Sequence, residues 1–251
     1  MSSREPATVP DRDGSDRDSS DREADPRAED RARRSEPSGI RPDAGAPSRR
    51  RVILVTGPSG AGKTRLSARL SAALGWPVVR LDDFYREADD PSLPRSPLGI
   101  PDWDHVDSWD AHRAVAALRT LVDTGSAEVP VYDISESRVT GLHVVSCDRD
   151  DLILAEGLFA ARLAEPLEAE GLLADTLCVR RSRWVTFALR LVRDLSERRK
   201  PPHILLRRGL ALLRAEPAII AQAEAHGARC LTPRQAERAL LAAAGSGSST
   251  R

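Results

Sequence analysis

Apolar side chains gather in short unbroken runs, separated by stretches with a helical period. Val52-Ile53-Leu54-Val55 is continuous, the pattern of a parallel strand buried on both faces. A glycine-rich turn follows, then a helical pattern from Lys63 to about Leu74 that Gly75 and Pro77 stop. Val78 to Leu81 predicts a second strand. Residues 86–103, rich in Pro, Asp and Ser, predict a loop over a site. Ser108 is placed to cap a helix running to about Asp123, with Gly125 at its end. Val129 to Tyr132 and Arg138 to Ser146 predict an inserted hairpin. Asp151 to Ala155 predicts the next central strand, and residues 160–170 a helix. Asp175 to Val179 predicts another strand, followed by a long helix from Ser182 to Pro201 and helical segments over 203–226. Arg229 to Leu231 predicts a last strand, and Thr232, Pro233 and Gln235 start a final helix ending at Gly245. Strand and helix alternate, so the expected fold class is α/β, a parallel sheet covered on both faces.

Composition divides the chain. Residues 1–50 hold 11 arginines and 12 acidic residues, and their only large apolar side chains are Met1, Val9 and Ile40. Such a segment cannot bury enough surface to offset the entropy of ordering it, so a disordered mixed-charge tail is expected there. Residues 51–244 are expected to form one domain and 245–251 a flexible tail. The whole chain carries 38 basic and 38 acidic side chains, a net charge of zero. That balance excludes a nucleic-acid binder working by bulk charge. No apolar segment follows Met1, no run approaches the roughly 18 residues of a membrane span, and three spaced cysteines suggest neither a disulfide frame nor a metal site. A cytoplasmic protein without nucleic-acid or membrane partners is expected, with a homo-oligomer left open.

Gly57-Pro58-Ser59-Gly60-Ala61-Gly62-Lys63-Thr64 fits G-x-x-x-x-G-K-[ST], with an apolar strand before it and a helix after it. Glycines let successive N–H groups turn inward toward phosphate oxygens, and the helix N-terminus adds positive potential. Lys63 is a compact charge for the β- and γ-phosphates, and the Thr64 hydroxyl suits Mg²⁺. Only two of the 38 basic residues are lysines, Lys63 and Lys200. A chain that otherwise uses arginine keeps lysine where a planar fork does not fit. ATP and Mg²⁺ are the cofactors this pattern implies. The competing reading is a strand–helix turn with no ligand.

Ligands of open parallel sheets sit at the carboxyl ends of strands. Asp82 closes the second predicted strand and Glu156 a later one, Asp151 to Ala155. A carboxylate there can hold a hydrated Mg²⁺ or take a proton from an acceptor hydroxyl. The bland alternatives are a turn aspartate and a strand-end glutamate.

Over most of 51–200 the chain resembles the uridine kinase (uridine–cytidine kinase) family. The resemblance rests on Gly57 to Thr64, Asp82-Asp83-Phe84-Tyr85-Arg86, Trp103-Asp104-His105, Asp107, Trp109-Asp110, Pro130-Val131-Tyr132-Asp133, Glu156-Gly157 and Arg190 to Arg198. It implies a three-layer P-loop NTPase fold with an inserted β-hairpin and a helical lid. It also implies transfer of the γ-phosphoryl of ATP to the 5′-hydroxyl of a pyrimidine ribonucleoside. By that resemblance Asp82 is the general base, acting with Lys63 and Arg193. Asp104 and Arg190 grip the ribose hydroxyls, Tyr132 and Trp103 lie beside the base, and Thr64, Glu156 and Asp82 form the Mg²⁺ shell. Arg193, Arg198 and Lys200 correspond to lid cations near the triphosphate.

Chemistry supports such roles separately. An Arg with a carboxylate binds vicinal hydroxyls, and an aromatic wall stacks on a flat base. The bland alternatives are that Trp103 and Tyr132 are packing aromatics and Arg198-Arg199-Lys200 a solvated helix end. His105 and His112 are expected to be structural or exposed. Where the family has a histidine after its Tyr-Asp pair, this chain has Glu136 in a segment one residue shorter. A carboxylate accepts from an exocyclic amine and repels a uracil carbonyl, which favours cytidine or another alcohol. Two further readings stand beside the nucleoside kinase: a P-loop kinase for a sugar phosphate or pantothenate, and a nucleotide-binding regulatory protein without turnover.

Overall fold

The central sheet is all parallel, in the order Val78–Arg80, Leu152–Glu156, Arg51–Thr56, Leu173–Val179, Arg229–Leu231. Its strands are β1 (Arg51–Thr56), β2 (Val78–Arg80), β5 (Leu152–Glu156), β6 (Leu173–Val179) and β7 (Arg229–Leu231). A computed structural model describes residues 50–96, 99–103, 105–196 and 202–247. The tail up to residue 49, Asp104, Arg198, Lys200 and residues 248–251 lie outside these, as do the side chains of Arg190 and Arg193.

β1 shows why its residues are apolar without a break. Val52 and Leu54 pack with Leu118, Leu121, Leu163 and Leu167 on one face of the sheet. Ile53 and Val55 pack with Leu66, Leu70, Ala236 and Leu240 on the other. The first layer comes from α2 (Ala111–Thr124) and α3 (Ala164–Ala169), the second from α1 (Lys63–Leu74) and α6 (Pro233–Gly247). A strand covered on both faces has no solvent side on which to alternate. The result is the expected three-layer α/β arrangement.

β3 (Ser126–Asp133) and β4 (Arg138–Ser146) form a separate antiparallel hairpin, in the expected place. Two helices, α4 (Arg183–Ser196) and α5 (Pro202–Ala225), pack against each other after β6. Pro202 opens α5, where its missing N–H costs nothing.

Several boundaries differ from expectation, among them the starts of β3 and β6, which lie two or three residues earlier, and two helix boundaries have a local reason. α2 starts at Ala111, because the Asp110 carboxylate accepts from the Arg113 N–H at 2.9 Å. The Ser108 hydroxyl is engaged upstream instead, donating to the His105 carbonyl at 2.6 Å. The helix expected over 160–170 is a 3₁₀ turn (Ala160–Leu163) followed by the short α3. Pro166 lacks the N–H that a continuous α-helix would need to bond the Arg162 carbonyl. The final helix runs two residues past Gly245.

Candidate active site

The chain leaves β1 toward β2 on one side of the sheet and later places β6 on the other. The carboxyl end of β1 is therefore a topological switch point, where open α/β sheets hold their ligands. Gly57 to Thr64 lies there, between β1 and α1. Gly57 has φ 137°, and a Cβ on it would come within 2.3 Å of the Val179 carbonyl oxygen. Gly62 caps α1 with φ 101° and no side-chain hydrogen bond, leaving the helix N-terminus open. Ala61 N–H donates to the Pro58 carbonyl at 3.1 Å, closing the turn. The buried Lys63 ammonium folds back on its own loop, donating to the carbonyls of Gly57 (2.8 Å) and Pro58 (3.3 Å).

Two acidic groups join this loop. The Thr64 hydroxyl donates to Glu156 Oε1 at 2.9 Å. Parallel pairing of β2 with β5 sets Arg80 beside Glu156. The 3₁₀ turn Leu81–Phe84 then carries Asp82 to the end of β5, where its Oδ1 accepts from the Leu158 N–H at 3.1 Å. Gly157 makes this approach possible. A Cβ there would stand 2.8 Å from Leu81 Cβ and 3.0 Å from Asp82 Oδ1. The turn is pinned from behind by Trp109, whose Nε1 donates to the Leu81 carbonyl at 2.6 Å.

Glu156 is 5% exposed. Burial pushes its carboxyl above the usual range and the charge on Asp82 adds to this, while the Thr64 hydroxyl and the Lys63 ammonium pull it down. Asp83, also buried, is raised chiefly by burial and relieved by Arg80 and the Tyr132 N–H. Thr64, Glu156 and Asp82 are hard oxygen donors on one side of the loop. Among the described residues, no three His, Cys, Asp or Glu side chains converge as a metal cage. That donor set fits Mg²⁺, which keeps several waters and takes one or two carboxylates.

A group of aromatics gathers around Tyr85, including the two singled out in the sequence. The Tyr85 ring lies 6.3 Å from Trp103, 6.1 Å from Tyr132 and 6.3 Å from Phe159. Tyr132 is 8% exposed, and its hydroxyl donates to the Arg86 carbonyl at 2.9 Å. Glu136 sits in the exposed hairpin turn, where its carboxylate accepts from Arg138 Nε at 2.6 Å. Both groups expected to read a base thus have partners within the protein. A cavity of about 400 Å³ lies nearby, lined by Phe84 to Glu87, Asp89 to Pro91, Asp110 and Arg113. It includes none of Lys63, Thr64, Asp82 or Glu156 and is separate from the phosphate loop.

Of the residues singled out in the sequence, the structure brings together the phosphate loop, Glu156 and Asp82. It places Trp103 and Tyr132 around Tyr85 and leaves Glu136 on the hairpin turn. Sequence reasoning missed Gly157 as a spacing device, Tyr85 as the centre of the aromatic group, and Arg181. Arg181 Nε donates to the Ala61 carbonyl at 3.1 Å. The strand-end rule, applied to β6 as it was to β2 and β5, points to it.

The family profile described as "PRK: Phosphoribulokinase / Uridine kinase family" matches residues 52–202. A uridine kinase of Clostridium botulinum (strain Okra / Type B1) is 26% identical over 168 residues, 65% of this chain and 78% of that one. Uridine-cytidine kinase 2-B of Danio rerio is 25% identical over 158 residues, 59% of each chain. The crystal structure of a Silicibacter sp. TM1040 kinase named for a fructose transport system superposes with a TM-score of 0.52. It is 18% identical, and the match covers 76% of this chain and 91% of that one. That likeness concerns the fold alone, an α/β P-loop NTPase. Loop, strand-end carboxylates and matched segment agree: this chain is a P-loop kinase and belongs to the phosphoribulokinase/uridine kinase family.

Proposed function

We propose that the protein transfers the γ-phosphoryl group of ATP to the 5′-hydroxyl of a pyrimidine ribonucleoside, uridine or cytidine. The observation that carries the reading is the Thr64–Glu156 bond at the phosphate loop, with Asp82 held at the end of β5 close enough for its charge to act on Glu156. In-line phosphoryl transfer needs positioned charge more than covalent chemistry. The loop amides and Lys63 hold the β- and γ-phosphates, which draws Lys63 off the carbonyls of Gly57 and Pro58. Asp82, fixed by the Leu158 amide, keeps one carboxylate oxygen to accept the proton of the incoming hydroxyl. Thr64 and Glu156, with Asp82, would hold Mg²⁺, which when bound neutralises charge between the phosphates. Asp104, Arg190, Arg193, Arg198 and Lys200 keep the roles the family resemblance implies for them. The cytoplasm is the proposed compartment, a reading that the free thiols of Cys147, Cys178 and Cys230 support.

A second acceptor class has its own support. The Tyr132 hydroxyl and the Glu136 carboxylate, the groups expected to read a base, are engaged with Arg86 and Arg138. An alcohol without a base, such as a sugar phosphate or pantothenate, would leave both bonds intact. Incubation with Mg-ATP and a panel of nucleosides, sugar phosphates and pantothenate, following ADP, separates the two. ADP formation dependent on uridine or cytidine supports the first reading; dependence only on another alcohol supports the second. Asp82→Asn is expected to keep ADP affinity and lose about 10²–10⁴-fold in turnover. Unchanged turnover in that variant would remove Asp82 from the chemistry.

A further inference from the structure

The phosphate loop is buttressed from one strand at two points. Val179, the last residue of β6, sets its carbonyl where a Gly57 side chain would be. Two residues later, Arg181 reaches back over the loop, and its Nε donates to the Ala61 carbonyl at 3.1 Å. Its Nη2 lies 3.6 Å from the position a Gly62 Cβ would take. Ala61 itself is fully buried, so its carbonyl cannot turn to water without a partner.

A trans peptide is planar, so its C=O and the following N–H point in opposite directions. The carbonyl of Ala61 and the N–H of Gly62 share one such unit. If the carbonyl is held on the Arg181 side, the Gly62 N–H is turned away from Arg181, toward the interior of the loop where phosphate oxygens bind. The backbone at Gly62 does not by itself enforce this. Gly62 stands at φ 101°, a region open to glycine, and glycine is equally at ease at φ of the opposite sign. The unit can therefore flip at small steric cost. Flipped, it would present a carbonyl oxygen to the triphosphate and lose a donor. A guanidinium–carbonyl bond is charge-assisted, about twice as strong as a neutral one, and also polarises the peptide whose N–H serves the ligand.

We propose that Arg181 is a positioning residue of the phosphate loop, holding the Ala61–Gly62 peptide in the orientation that directs the Gly62 N–H at bound phosphate. It acts through the loop and not on the acceptor. It also stands between β6 and α4, which begins at Arg183, so the start of the helix pair and the loop conformation share one side chain.

The inference rests on the reading of Gly57 to Thr64 as a phosphate site but not on the identity of the acceptor. Calorimetric titration of the full chain with ADP and with inorganic tripolyphosphate tests it. Wild-type binding of both ligands checks the phosphate site itself; the change caused by substitution checks Arg181. Arg181→Met keeps the aliphatic stem and removes the donors. It is expected to weaken ADP and tripolyphosphate alike, by roughly tenfold. Arg181→Gln keeps an N–H donor and is expected to bind more tightly than the methionine variant. Circular dichroism and thermal melting establish that each variant is folded, and the glutamine variant serves if the methionine one is not. Unchanged affinity in the methionine variant overturns the proposal. So does a loss seen with ADP but not with tripolyphosphate, which would place Arg181 against the nucleoside, and so does equal weakness of the two variants.

Discussion

Gly157→Ala isolates the placement of Asp82 from everything else at the site. Gly157 has no positive φ, so alanine is allowed there by the backbone and the effect is steric. The new methyl group would meet Leu81 Cβ at 2.8 Å and Asp82 Oδ1 at 3.0 Å. Carbon–carbon contacts prefer about 3.5–4.0 Å, so the Leu81–Asp82 turn must withdraw by roughly 0.7 Å or more. It cannot move freely, because Trp109 holds the Leu81 carbonyl and the Leu158 amide holds Asp82. Overpacking of this kind costs about 1–3 kcal/mol of stability, which a domain of this size tolerates. The kinetic effect is expected to be larger. Displacing a catalytic group by on the order of 1 Å costs about 10²-fold, so turnover should fall by roughly 10–100-fold. The phosphate loop is not touched, and ADP affinity should stay within about twofold. Steady-state turnover, an ADP titration and a thermal melt on the same preparation decide the matter. A folded variant with wild-type turnover would refute the claim that Asp82 is fixed by its contact with Gly157. A parallel loss of ADP affinity would show that the loop and the Asp82 turn are not independent.

Two further outcomes follow from the same geometry. The raised carboxyl of Glu156 means that the folded, metal-free protein takes up a proton above the ordinary glutamate value of 4.5. Its stability contribution is present below that value and is lost as pH rises through the folded one. Glu156→Gln should abolish this pH-dependent part of the melting temperature between the two values. The prediction concerns the metal-free protein, since Mg²⁺ on the carboxylate would favour its charged form and lower its pKa; a wild type and variant with identical stability–pH curves would remove the argument. At the amino end, Arg50 donates to the carbonyls of Val122 (3.0 Å) and Asp148 (3.0 Å), closing the end of α2 over Gly125. Arg50→Ala is expected to cost about 1–2 kcal/mol, a fall of roughly 2–8 °C in melting temperature with ADP affinity unchanged. A melting temperature equal to wild type would place those bonds among contacts without net worth.

The half of the site on the donor side was legible because its chemistry is local. Eight consecutive residues make the loop, and an apolar strand and an amphipathic helix flank them. Glu156 could be found from its position at a strand end, since a buried strand announces itself by composition. The boundaries that failed had competitors not visible at that level. Ser108 and Asp110 are both good caps, and only the tertiary path of the loop, with the Ser108 hydroxyl bonded to the His105 carbonyl, decides between them. Pro166 was legible in principle, because its missing N–H weakens a continuous helix through 160–170, although the longer helix α5 absorbs Pro217 in its interior.

The acceptor side depends on which side chains the hairpin turns toward Tyr85, and no local pattern reports that. Tyr132 is an aromatic in either role, and only its hydroxyl bond to Arg86 separates a packing group from a base contact. Glu136 has a partner two residues away in Arg138, a pairing that competes directly with any ligand for the same carboxylate. Breaking it to bind an exocyclic amine exchanges one exposed charge-assisted bond for another, so the net preference for cytidine from this residue is small, on the order of 1 kcal/mol at most. On the proposed reading, acceptor choice would then rest on the partly buried aromatics around Tyr85 more than on Glu136. The proposed phosphate site, by contrast, is a local loop whose main donors are backbone amides, so its pattern can be read from eight consecutive residues whatever the acceptor is.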